Sequence, residues 1–118
     1  MAEAGLFIGW GQVVRGREQR ALEVWGESLQ YWSTLESDGK IESFEVVLLS
    51  PHGGDLNGFA LLRGSADQMN ALRSDEEFGR RVQRADLVVE SQGVVDAALG
   101  DGLQQAIEIY QDEVGKVG

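Results

Sequence analysis

Residues 41–63 read IESFEVVLLSPHGGDLNGFALLR. Two runs rich in aliphatic, β-branched and aromatic residues, IESFEVVLLS (41–50) and FALLR (59–63), flank the loop PHGGDLNG (51–58). Such runs, bounded by Pro, Gly, Asp and Asn, predict two strands joined by an ordered turn. Upstream, 17–36 carries Leu22, Trp25, Leu29 and Trp32 at spacings of three and four, with Val24, Tyr31 and Leu35 widening the stripe. That period predicts a helix, stopped at Ser37, Asp38 and Gly39, the last suited to a left-handed C-terminal position. Before it, LFIGWGQVV (6–14) predicts the first strand, with faces Leu6, Ile8, Trp10, Gln12, Val14 and Phe7, Gly9, Gly11, Val13. The glycine face is expected to receive a closely packed helix.

Downstream, SADQ (65–68) is a capping box opening a helix with Met69 and Leu72 on its apolar side. A second box, SDEE (74–77), precedes Phe78 and Val82, so two helical pieces or a kink near Ser74 are expected. LVVESQGVV (87–95) predicts strand four, and Asp101 caps a last helix, about 101–116, lined by Leu103, Ile107, Tyr110 and Val114. The order is βαββαβ with an extra C-terminal helix. It predicts one ferredoxin-like α+β domain over 1–118, a four-stranded antiparallel sheet with helices on one face.

The other sheet face then needs a cover. Leu6, Ile8 and Trp10 of strand one, Val47 and Leu49 of strand two, and Val88 and Val94 of strand four are assigned to it. An apolar area of that size is larger than a monomer normally exposes, which predicts a homodimer with its sheets face to face. The last helix would add to that interface or plug one open end.

Twenty acidic against ten basic residues give a formal charge of −10. That field disfavours nucleic acid and anionic membrane surfaces as partners. No Cys is present, so disulfides and thiolate chemistry are excluded, and a cytoplasmic location is expected. The apolar run 6–10 is too short to span a membrane.

The element order, with PHGGDLNG (51–58) followed by FALLRG, resembles the dimeric α/β-barrel superfamily, and within it an uncharacterised bacterial group. The resemblance implies two ferredoxin-like chains joined into a barrel and a small-molecule cavity between sheet and helices. Members include cofactor-free monooxygenases, haem-binding enzymes, isomerases and proteins of unassigned activity, so the resemblance alone selects no reaction.

Candidate site residues follow from the strands and their loop. His52 is the one histidine and could transfer a proton at a cleft mouth, although turn chemistry explains Pro51, Gly53, Asp55 and Asn57 without it. Trp10, Gln12, Glu45, Glu90 and Gln92 are expected on one sheet face among apolar neighbours, the composition of a ligand cavity. Glu45 or Glu90 would there accept a proton, unless solvated or paired with arginine. Arg63 could join either arrangement, its face unassigned in FALLR. Trp25 and Trp32 are expected in the core.

Arg15, Arg17 and Arg20 open the first long helix and could hold an anion, and Arg80, Arg81 and Arg84 suit pairs with Glu76 and Glu77. One His and no Cys argue against haem and transition metals, and GWG (9–11) and GG (53–54) lack dinucleotide and P-loop patterns. No cofactor or metal is expected. A small protein holding an apolar or aromatic organic ligand, with or without converting it, is therefore expected. The alternative is a non-catalytic interaction or regulatory protein with a packed barrel.

Overall fold

The computed structural model describes residues 2–118. In chain order it contains β1 (Ala4–Trp10), α1 (Glu18–Ser37), β2 (Ser43–Leu48), β3 (Gly58–Gly64), α2 (Ala66–Arg73), α3 (Glu76–Asp86), β4 (Gly93–Ala98) and α4 (Gly100–Val117). The strands lie in the order β2-β3-β1-β4, each neighbouring pair antiparallel. This is the expected ferredoxin-like α+β fold. Helix α1 stops as its sequence predicts: Gly39 takes the left-handed conformation, φ 73°, just past the Asp38 cap.

The capping box at α2 is complete, with Gln68 N–H donating to Ser65 Oγ at 3.1 Å and Ser65 N–H to Gln68 Oε1 at 2.7 Å. The break between α2 and α3 falls where expected, but no second box forms. Asp75 is the cap of α3 without a side-chain bond, and the Ser74 hydroxyl donates back to the Asn70 carbonyl.

Packing inverts the expected faces of the first strand. Leu6 and Ile8 are buried under the helices, in one cluster with Ala60 and Leu62 of β3, Trp32 and Leu35 of α1, Met69 and Leu72 of α2 and Phe78 of α3. The opposite face carries Phe7 and Gly9, in register with Leu61 and Phe59 of β3. What approaches the glycines is the 51–58 loop rather than a helix. A Cβ on Gly11 would stand 2.7 Å from the Asp55 carbonyl oxygen and 2.8 Å from that of Glu90, closer than any side chain tolerates. Val47 does lie on the open face, opposite Phe59. Val88 and Val94 do not: Val88 is buried and Val94 packs on the core.

Strand four also starts later than 87. Leu87 caps α3, Val88 N–H donates to the Ala85 carbonyl, and Val89 makes one isolated bridge with Val13. Ser91, at φ 56°, then breaks the extended path before β4 resumes at Gly93 opposite Gly9. A left-handed residue cannot sit inside a regular strand, so the apolar run 87–95 is two segments.

Helix α4 begins at Gly100, one residue before Asp101, with Leu99 as its cap, and has no buried residue. Its stripe of Leu103, Ile107, Tyr110 and Val114 is exposed. The radius of gyration is 16.1 Å, against about 13.5 Å for a compact chain of this length. The last helix therefore projects from the body. No described helix is long and apolar enough to cross a membrane.

Candidate ligand cavity

A cavity of about 630 Å³ lies between the covered face of the sheet and helices α1 and α3. The helical period puts it there. Trp25 and Trp32, one heptad apart on α1, both reach its wall, as do Trp10 at the end of β1, Tyr31 of α1 and Phe78 of α3. Trp10 and Trp25 meet edge to face, ring centroids 5.8 Å apart. Trp32 is the more buried indole and leans on Phe44, centroids 6.1 Å apart, so one heptad serves core and cavity together.

Few polar groups reach this wall. The Gln92 amide is held by its Nε2, which donates to the Val82 carbonyl at 3.0 Å and to Asp86 Oδ1 at 3.4 Å. Arg81 donates from Nε to Glu77 at 2.7 Å, and its guanidinium carbon stands 4.8 Å from the centre of the Tyr31 ring. The Tyr31 hydroxyl is buried and, among the described residues, is the one buried side-chain polar atom without a hydrogen-bond partner. Burial pushes its pKa from 10.0 up to about 12, helped by the negative charges of Asp75 and Glu77 and opposed by Arg81.

The residues expected on one face are divided among three places. Trp10 and Gln92 line the cavity. Gln12, His52 and Glu90 line a second, polar hollow with Asp55 and Ser91, and Leu49 and Asn57 form part of both walls. Glu45 lies outside both: it sits on the open face in register with Leu61, its carboxylate 2.5 Å from Arg63 Nη2. The face of β3 is thereby settled. Ala60 and Leu62 point to the helices, while Phe59, Leu61 and Arg63 point away.

His52 has both ring nitrogens engaged. Gly54 N–H donates to Nδ1 at 3.2 Å, and Nε2 lies 2.7 Å from the Leu56 carbonyl oxygen. An Nδ1 that accepts leaves the ring proton on Nε2, so the imidazole bridges the loop to itself. Arg17 and Arg20 are engaged too, by the Leu87 carbonyl and by Glu23 and Glu27. Arg80 and Arg81 pair with Glu76 and Glu77 as their spacing suggests, while Arg84 crosses to Glu27 of α1. Among the described residues no group of three or more His, Cys, Asp or Glu could hold a metal ion.

Tyr31 and Arg81 escaped the sequence as cavity residues. Tyr31 sits in the apolar stripe of α1, and Arg81 has the four-residue spacing of an ordinary surface ion pair. Their only sequence signal is that both stand one position from the centre of an apolar stripe, beside Trp32 and Val82.

One sheet face covered by helices around a cavity, the other left apolar and open, defines a ferredoxin-like fold. Solved structures share this fold. A dimeric protein of unknown function with a ferredoxin-like fold from Bacteroides fragilis NCTC 9343 superposes with a TM-score of 0.57 at 18% identity, covering 81% of this chain and 96% of that one. SnoaB, a cofactor-independent oxygenase from Streptomyces nogalater, superposes with a TM-score of 0.52 at 12% identity, covering 84% of this chain and 95% of that one. No protein-family model matches the sequence, and no curated protein matches it.

Proposed function

We propose that this protein binds a small, largely aromatic organic molecule in the cavity between its sheet and helices α1 and α3, and does so as a homodimer. The observation that carries the proposal is the cavity wall. Three indoles, a phenol and a phenyl ring line part of a half-open space of about 630 Å³, a volume in the range of small-molecule sites. A flat apolar ligand would stack or meet these rings edge-on. Cofactor-free conversion of such a ligand, with Trp10 shaping the pocket and Gln92 orienting the molecule, remains within the proposal. Glu45, on the opposite face and paired with Arg63, is not its base.

The dimer is supported by the open face. Phe7 stacks on Phe59 with centroids 4.9 Å apart, beside Leu61, Val47 and the half-exposed Val95. A second copy would bury that patch and offer α4 a surface that its own chain does not supply.

Titration of the purified protein with 1-naphthol and with 2-naphthoic acid, followed by tryptophan fluorescence, tests the site. A saturable change that Trp10→Ala reduces at least tenfold in affinity is expected. No saturable change with either compound, or one indifferent to Trp10→Ala, would overturn the proposal. The rival, an interaction protein with a packed interior, is disfavoured by the same cavity.

A further inference from the structure

Five residues of the cavity wall are also exposed, and they mark where the cavity opens: Val13, Glu18, Leu22, Leu48 and Leu49. Four of the five are aliphatic, with fractional exposures of 40% for Val13, 65% for Leu22, 66% for Leu48 and 37% for Leu49. They come from separate parts of the chain, the segment after β1, helix α1 and the end of β2. The rings of the wall, Trp10, Trp25, Tyr31, Trp32 and Phe78, all lie deeper, among further aliphatic side chains such as Ile8 and Val88. The site therefore runs from an interior that holds every ring to a mouth that holds none.

We infer that the ligand is an aromatic ring system carrying an aliphatic chain, held with its rings inside and its chain across the Val13, Leu22, Leu48 and Leu49 rim. The inference rests on the cavity being a ligand site and adds the ligand's second half and its orientation. Apolar side chains left in water around an opening gain free energy when apolar surface covers them. A chain leaving the cavity is the cover continuous with it, because the same four side chains line both. The open sheet face that a second copy would cover carries Phe7 and Phe59 and lies across the sheet from the cavity. An anionic lipid surface is repelled by a formal charge of −10.

The test is a series of para-alkylphenols from ethyl to hexyl, titrated by calorimetry into the wild type and into the double variant Leu22→Asn with Leu48→Asn. In the wild type the dissociation constant is expected to fall with each added methylene, by up to about fourfold per carbon. In the double variant the affinity gained per added methylene should shrink relative to the wild type. Wild-type affinity independent of chain length would overturn the inference and leave the aromatic site standing, and this arm needs no variant to fold. Increments that persist undiminished in the double variant would overturn it as well. Loss of dimer in the double variant, seen by sedimentation, would make the rim a protein contact and overturn it too. Failure of every member to bind, para-ethylphenol included, would remove the ligand site itself.

Discussion

The indole of Trp10 meets that of Trp25 edge to face across 5.8 Å between ring centroids, joining the end of β1 to the middle of α1. The contact stands at the wall of the cavity, while Trp32, which also reaches that wall, takes the buried place in the core. Three indoles thus do two jobs. Trp32 supplies packing area, and Trp10 with Trp25 shape a surface that a ligand could share.

Those two jobs separate on mutation. Trp32→Ala removes a buried ring from the main cluster and is expected to cost about 3–5 kcal/mol of stability. Trp25→Ala, at a half-buried position facing the cavity, should cost clearly less and weaken naphthol binding instead. Chemical denaturation of both variants beside the fluorescence titration would measure the contrast, and equal losses of stability would contradict it.

Tyr31→Phe deletes a buried hydroxyl that has no partner. Removing an unsatisfied buried polar atom relieves its desolvation, so a gain of about 1 kcal/mol in stability is expected. The same hydroxyl makes the wild type sensitive to alkali. Its folded pKa of about 12 lies above the ordinary 10.0, so between those values the unfolded chain has lost the proton and the folded chain keeps it. Stability from Tyr31 is accordingly complete below pH 10 and falls as pH rises towards 12. Tyr31→Phe should flatten that decline in thermal melts, and a phenolate absorbance step near pH 12 should vanish with it.

Phe59→Asp places a charge beside Phe7 in the centre of the open face. In the proposed dimer that charge would be buried without a partner, which costs several kcal/mol. Sedimentation equilibrium should give twice the chain mass of 12.9 kDa for the wild type and the single mass for the variant. A wild-type monomer, or a variant that still dimerises, would count against the sheet-to-sheet assembly.

His52→Ala tests the loop rather than the chemistry. With both ring nitrogens bonded inside the loop, its loss should raise exchange of the Gly54 amide about fivefold, the equivalent of one net hydrogen bond. Naphthol affinity should change by less than twofold, because His52 lines the polar hollow and not the cavity beside it. Loss of binding would return His52 to the site.

Most elements were legible because their signals are local. The helix over 17–36, the box at Ser65 and Gln68, the break near Ser74 and the turn at Gly39 each depend on side chains within a few positions of one another. The misplacement of strand four has a local cause too. Ser91 adopts a left-handed conformation that a serine rarely signals, in the middle of an apolar run.

The candidate site was legible only in part. Trp10 and Gln92 reach the cavity, yet Glu45 does not, since alternation along β2 assigns it to the same face as Val47 once Phe44 and Val46 turn to the core.

By itself, then, the sequence determined the order of elements, the fold class and the surplus of apolar surface, since periodicity and turn chemistry are written along the chain. Only the tertiary structure decided which face of the sheet the helices cover. Leu6, Ile8 and Trp10 on one side and Phe7 with Val95 on the other are both apolar, so alternation cannot rank them, and the crossover of α1 makes the choice. The cavity belongs to the same category. It is space left between Trp10, Trp25, Tyr31 and Phe78 when three elements pack, and no single position encodes a volume that exists only between them.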